Sequence, residues 1–343
     1  MQQAQSSPLI AVDDLVVEFH TEGGVVRAVN GVSFAIPRGG TLALIGESGC
    51  GKSVTSLALL NLVRPPGRIT GGTITYTDAE GRALQTTDWK PNSERMRKFR
   101  GADVAMIFQE PMTSFDPLFT VGEQIVETLH AHLPHIGRGK ARDIAIEMLR
   151  KVRLPNPETL VDRYPHQLSG GMRQRVMIAM ALCCGPRLLI ADEPTTALDV
   201  TTESQILDLL RQLQGEMEMA VLFITHDLAV ASEIANEIAV MYLGYVVESG
   251  ATDDVLGNPS HPYTRALLAS IPKLDDEPGG RLNAVRGMVP TPDEMPSGCP
   301  FHTRCDAFMP GLCDRRMPRL YPCGDGHQAR CFLVDPELER LRP

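Results

Sequence analysis

The sequence predicts an α/β fold, a largely parallel sheet that receives its ligand at the carboxyl ends of the strands. Three observations predict it. The apolar run at residues 41–45 leads into Gly46-Glu47-Ser48-Gly49-Cys50-Gly51-Lys52-Ser53, and residues 54–60 then read as a helix. A second strand-like run, residues 187–191, apolar after Arg187, ends on two carboxylates, Asp192 and Glu193. Strand-like and helix-like segments alternate beyond it, as a sheet covered by helices requires.

The loop fits the pattern G-x-x-x-x-G-K-[ST] without a mismatch, in the strand–loop–helix setting that phosphate binding needs. Gly46, Ser48, Gly49, Cys50, Gly51 and Val54 bring backbone N–H groups toward phosphate oxygens at a helix N-terminus. Lys52 neutralises the β- and γ-phosphates, and the Ser53 hydroxyl holds Mg²⁺. A buried strand that delivers Asp192 suits Mg²⁺ binding beside such a loop, and Glu193 suits a general base that activates water. Taken alone, that strand reads equally as core with an acidic exit.

The elements follow in order. Residues 8–45 alternate apolar and polar between turn signals and read as antiparallel strands. Residues 71–76 read as a Gly/Thr-rich hairpin, and residues 94–100 as a charged helix. Residues 117–168 are mostly helical, and residues 141–152 carry apolar side chains at helical spacing. The parallel core resumes with a strand at 187–191, a helix at 203–214, a strand at 220–224, a helix at 228–235, and strands at 238–241 and 245–248. Past residue 251 proline becomes frequent, and no long periodic element survives beyond residue 271.

With 343 residues the chain is long enough for a core and an appendage. It carries 42 acidic against 33 basic residues, a net charge of -9, which argues against nucleic acid as its main partner. Its first residues lack the regions of a signal peptide. No uninterrupted apolar run approaches the ~18 residues of a membrane span. The protein is expected to be cytosolic, with any membrane attachment made through a partner.

Leu168-Ser169-Gly170-Gly171-Met172-Arg173-Gln174-Arg175 lies 17 residues before Asp192 and resembles the signature of ATP-binding cassette (ABC) ATPases. The rest of that family's set appears in order: Gln109 in Ile107-Phe108-Gln109-Glu110-Pro111, Thr196-Ala197-Leu198-Asp199, and His226 in Ile224-Thr225-His226-Asp227. The resemblance implies a P-loop ABC ATPase core over residues 8–255, with an antiparallel β-subdomain and a helical subdomain at about 110–170. It implies ATP and Mg²⁺ as ligands, with Ser53, Gln109 and Asp192 around the metal and Glu193, His226 and Gln109 as the catalytic group. Ser169, Gly170 and Gly171 would face the ATP of a partner cassette, and Asp199 would lie in the loop between the two subunits. Phe19 reads either as an adenine-stacking aromatic or as a core residue.

Residues 257–268, Gly-Asn-Pro-Ser-His-Pro-Tyr-Thr-Arg-Ala-Leu-Leu, resemble the segment after the cassette in oligopeptide and dipeptide importers. For its shape, the same stretch reads simply as a helix start with Pro262 at the first position. This resemblance implies an ATP-hydrolysing importer subunit. Its partners would be a second ATPase subunit, two membrane permeases docked near residues 109–115 and the helical region, and an extracytoplasmic peptide-binding protein. Nickel importers of the same group are the near alternative. ABC ATPases that work without a transporter are the alternative from another class, but they usually carry two cassettes or a long coiled coil.

Residues 256–343 read as a Cys-rich extension. Cys299, Cys305, Cys313 and Cys331 match positions at which members of that group end, and Cys323 is extra. A cytosolic protein rarely keeps disulfides, so a thiolate metal site is expected. Gaps of 5, 7 and 17 residues fit a wrapped loop better than the close pairs of zinc sites. The resemblance implies a [4Fe–4S] cluster, with zinc or unmetallated thiols as alternatives. Cys183 and Cys184 read as small core residues.

Overall fold

Burial sorts the strands. β1 (Ile10–Thr21) and β2 (Gly24–Ile36) mix buried and open positions, whereas β3 (Thr41–Ile45) is buried throughout. β4 (Gly67–Thr77) mixes them again, and β5 (Ala83–Gln85) is short. β6 (Val104–Ile107), β7 (Leu188–Asp192), β8 (Ala220–Thr225) and β9 (Glu237–Tyr242) are largely buried, and β10 (Tyr245–Ala251) is buried at Val246, Val247 and Glu248. Continuous apolar runs belong to strands covered on both faces, and alternating ones to strands with one wet face. β11 (Tyr321–Pro322) and β12 (Gln328–Ala329) are two-residue pieces.

The computed structural model describes residues 7–109, 115–196, 198–271, 285–291 and 294–339. The chain divides into two compact units. One draws on residues 1–9, 36–40 and 77–224, and the other on residues 10–35, 41–76 and 225–343.

In the first unit β6, β7 and β8 lie side by side in parallel register, Val104 opposite Leu188 and Asp192 opposite Ile224. The helical stretch contains Val121–His132, Arg138–Lys151 and Pro157–Leu160. Thr120 opens the first of these with a capping box: its hydroxyl accepts from Glu123 N at 3.3 Å, and Glu123 Oε2 accepts from Thr120 N at 2.8 Å. The helix Arg138–Lys151 buries Ala141, Ala145, Met148 and Leu149, one stripe at helical spacing. The charged helix stops at Lys98, because Arg100 and Gly101 leave helical geometry.

In the second unit β1 lies between β2 and β4. Residues 71–76 do not form the hairpin expected from their glycines. They belong to the single strand β4, which pairs antiparallel with β1 from Ile10–Tyr76 to Phe19–Gly67. The glycines serve a bulge instead. The register shifts between Asp13 and Val17, and Gly72 sits at φ +79°, where a Cβ would lie 2.3 Å from Asp14 O. β3 pairs parallel with β9, and β10 turns back antiparallel on β9 through Leu243 and Gly244, both at positive φ. β12 extends this sheet beside β10, and β11 lies beside β12.

The residues after β10 add to this core. Tyr263, Leu267, Cys299, Phe301, Cys313 and Phe332 pack in one apolar cluster with Ile45, Val240, Tyr242 and Val247. A buried carboxylate organises the seam. Glu248, fully buried on β10, accepts from Ser260 N at 2.6 Å and His261 N at 3.0 Å, and pairs with His327 Nε2 at 2.8 Å. Among the described residues no helix is long and apolar enough to cross a membrane.

Candidate functional site

The loop 46–51 links buried β3 to the helix Lys52–Leu59. Its glycines are sterically required. A Cβ at Gly46 would stand 2.3 Å from Met241 O, and one at Gly51, φ +102°, 2.4 Å from Ala28 O. Gly49 also has positive φ, at +80°, but faces open space. Lys52 is buried, and its Nζ donates to Gly46 O at 2.6 Å and Glu47 O at 3.1 Å. The ammonium therefore lies over the loop's own carbonyls, beside the exposed Ser48, Gly49 and Ser53. Cys50 is buried beneath, and burial raises its thiol pKa. Val54 is half-buried in the first helical turn.

The first unit brings a second group together. Asp192 closes β7 and is buried. Glu193 follows at φ +46°, a conformation that costs a non-glycine residue about 1 kcal/mol or more. Its N–H donates to Ile224 O at 2.9 Å, which holds the turn. The carboxylate Oε2 accepts from Gln109 Nε2 at 3.1 Å and from Thr196 Oγ1 at 3.0 Å. Gln109 and Glu193 are 84 residues apart in sequence, yet their side chains touch. Thr196 lay inside a recognised motif and only three residues from Glu193, so helical-turn spacing could have found it.

In the same unit Ser169 caps the helix Gly170–Leu182, its hydroxyl accepting from Met172 N at 3.4 Å. Gly170 faces open space, while a Cβ at Gly171 would come 2.9 Å from Thr202 Cγ2. Buried Gln174 donates through Nε2 to Pro194 O, tying this helix to the turn after Glu193. Asp199 caps the helix Val200–Met217, accepting from Thr202 N at 3.0 Å and Thr202 Oγ1 at 2.8 Å. Those hydrogen bonds hold its carboxyl below the usual range. Ala197 lies outside the described residues. Cys183 is buried at the end of the helix Gly170–Leu182, and Cys184 is half-buried.

In the second unit His226 is exposed just before Asp227, which caps the helix Leu228–Ile234 by accepting from Ala229 N at 2.7 Å. Phe19 is half-buried, and its ring covers Gly67, its partner on β4. Glu47, Tyr263, Tyr242 and Arg304 meet beside the phosphate loop. The Glu47 N–H donates to Tyr263 Oη at 3.0 Å, and both Glu47 carboxylate oxygens accept from Arg304, at 2.7 and 3.0 Å. Sequence reasoning missed this pair, because 257 residues separate its members and no local pattern links them.

The cysteines do not form the expected metal site. Among the described residues no group of three or more His, Cys, Asp or Glu side chains could hold a metal ion. Cys299, Cys305, Cys313 and Cys331 are free thiols, and Cys323 is free as well. The first four belong instead to apolar surroundings: Cys299 and Cys313 are part of the core cluster, Cys305 packs against it, and Cys331 is buried next to Phe332. Burial pushes Cys299 up to about 11 and Cys331 up to about 12, and it raises Cys305 also, so the neutral thiol is favoured over the thiolate a metal needs. The [4Fe–4S] cluster, and zinc as its substitute, are therefore withdrawn. The segment is held by side-chain packing and buried polar pairs.

The glycine cradle, the buried lysine and the strand ending in Asp192 and Glu193 define a nucleotide-binding ATPase of the cassette type. The profile of ABC transporters matches residues 29–196, and that of the oligopeptide/dipeptide transporter C-terminal region matches residues 247–313. The chain is 47% identical over 332 residues to the oligopeptide transport ATP-binding protein AppD of Bacillus subtilis, spanning 96% of this chain and 98% of that one. It is 44% identical to the dipeptide transport ATP-binding protein DppD of the same organism, over 96% of each. The dimeric structure of MJ0796, a bacterial ABC transporter cassette, superposes with a TM-score of 0.62 at 27% identity, covering 71% of this chain and 98% of that one. A post-hydrolysis structure of MJ0796 bound to ADP and Pi is equally similar. This chain belongs to the ABC transporter ATPase family, in its oligopeptide/dipeptide branch. These relatives are named for ATP binding and for oligopeptide or dipeptide transport.

Proposed function

We propose that this chain hydrolyses ATP at the cytoplasmic face of the cell membrane to energise uptake of dipeptides or oligopeptides. The observation that carries the reading is the loop 46–51, where Gly46 and Gly51 leave no room for a Cβ and a buried lysine follows at a helix start. The Lys52 ammonium exchanges its carbonyl partners for the β- and γ-phosphates, and loop N–H groups take the remaining oxygens. Ser48, Gly49, Cys50, Gly51 and Val54 contribute this backbone, and Phe19 stacks on the adenine.

The oxygen donors Ser53, Asp192 and Gln109 suit Mg²⁺, which when bound would neutralise phosphate charge. Glu193 accepts the proton of the attacking water, and its contacts with Gln109 and Thr196 hold the carboxylate in place. His226 stabilises the terminal phosphate. Ser169, Gly170 and Gly171 offer a helix start to the ATP of a facing cassette, with Asp199 in the loop between subunits.

We place the cassette at residues 8–255, with its helical subdomain near 110–170, and the importer-type extension at 256–343. The partners are a second, distinct ATPase subunit, two permeases and an extracytoplasmic binding protein. Leu118 and Phe119, exposed beside the helix Val121–His132, offer apolar contact area to the permeases. The expected docking stretch around residues 110–114 lies outside the described residues. Co-expression with the permeases followed by native mass spectrometry tests the assembly. A transporter with two copies of this chain and no second ATPase overturns the heterodimer.

A further inference from the structure

Glu47 presents a chemical problem. It places a carboxylate inside a loop whose task is to gather negative phosphates. The structure answers it from the far end of the chain. Arg304 is 3% exposed at its side chain and grips both Glu47 oxygens. Its other donors are occupied as well: Nε donates to Arg286 O at 2.7 Å, Nη1 to Tyr242 Oη at 3.4 Å, and Nη2 to Gly287 O at 3.3 Å. All five N–H groups of the guanidinium thus have partners, which fixes the fork in one orientation.

The surroundings are equally fixed. Tyr242, Tyr263 and Phe301 pack ring on ring with centroids 4.7 to 5.3 Å apart. Tyr263, whose hydroxyl accepts from Glu47 N, sits at the first turn of a helix capped by His261. The phosphate loop is therefore held at Glu47 by two groups, both from beyond the nucleotide motifs.

We propose that Arg304 is a positioning residue for ATP binding, which neutralises the Glu47 carboxylate and turns it away from the incoming triphosphate. This rests on the reading of the loop as an ATP site. Through this contact the segment after the cassette tunes nucleotide affinity within its own chain. With Arg304 replaced, Glu47 becomes a free negative charge next to bound phosphates. With Glu47 also neutralised, that repulsion disappears.

The test uses the full chain and Mg·ATP, measuring KM and kcat for wild type, Arg304→Gln, and Arg304→Gln combined with Glu47→Gln, with melting curves for each. Arg304→Gln should raise KM about tenfold, the size of one lost charge interaction, and leave kcat within about twofold. Adding Glu47→Gln should return most of that loss, and raising salt should shrink the defect. A purely structural brace would give no rescue. A KM within twofold of wild type in Arg304→Gln, or an equal defect in the double variant, overturns the proposal. Should Arg304→Gln fail to fold, Arg304→Met serves. It keeps the packing of the stem without the charge and should show the same rise in KM and the same rescue by Glu47→Gln, and an unchanged KM overturns the proposal again. Wild-type protein that neither binds nor hydrolyses ATP would instead overturn the reading of the site.

Discussion

Gln109 donates through Nε2 to Glu193 Oε2 at 3.1 Å, so the second residue after β6 and the first residue after β7 share one hydrogen bond. With Thr196 Oγ1 on the same oxygen, Glu193 is aimed rather than free to rotate. A carboxylate held this way, at a backbone conformation that carries strain, is suited to taking a proton from water.

Replacing that carboxylate separates binding from turnover. Glu193→Gln should keep ATP affinity, since the phosphate loop is untouched, and lose about 10²- to 10⁴-fold in kcat. Single-turnover kinetics with radiolabelled ATP would measure it. Hydrolysis within about threefold of wild type would remove Glu193 from the role of base.

The loop, the two carboxylates and most helices were legible because each is a local pattern. Residues 46–53 form one continuous string, and the helix Arg138–Lys151 shows its buried stripe within four turns. Contacts between distant segments were not legible. Nothing near Glu47 announces Arg304, and nothing near Glu248 announces His327. Composition also misled where one residue type serves two purposes. Gly71 and Gly72 read as a turn but accommodate a bulge, and the clustered cysteines read as ligands but behave as small apolar core residues.

The buried Glu248 should be a large stability determinant. Glu248→Ala leaves Ser260 N–H, His261 N–H and His327 without their acceptor in a fully buried site. The expected loss is about 3 kcal/mol or more in urea unfolding. A loss below about 1 kcal/mol would show that water replaces the carboxylate there.

His261 should make stability depend on pH. Burial depresses its imidazole to about 3 from an ordinary 6.5. Between those values the unfolded chain binds a proton that the folded chain does not, so stability falls as pH falls. His261→Asn keeps a cap acceptor and removes the titration. From pH 6 to pH 5 wild type should lose about 1 kcal/mol more than the variant. Parallel curves for the two proteins would contradict a neutral buried His261.

The thiols should react as core residues. With Cys299 pushed up to about 11 and Cys331 up to about 12, the thiolate fraction at pH 8 is roughly a thousandth or less. Iodoacetamide should label both slowly in native protein and rapidly after denaturation, read by peptide mass spectrometry. Fast native labelling would mean that the apolar packing around them is open.

Coupling of ATP hydrolysis to peptide uptake is open to direct measurement. The direct measurement is phosphate release by the permease complex in proteoliposomes, with and without peptide-loaded binding protein outside. Wild type should hydrolyse faster when the loaded binding protein is present and should accumulate labelled dipeptide, and Glu193→Gln should do neither. Hydrolysis indifferent to the loaded binding protein, with no peptide accumulated, would show that this chain does not couple ATP turnover to peptide uptake.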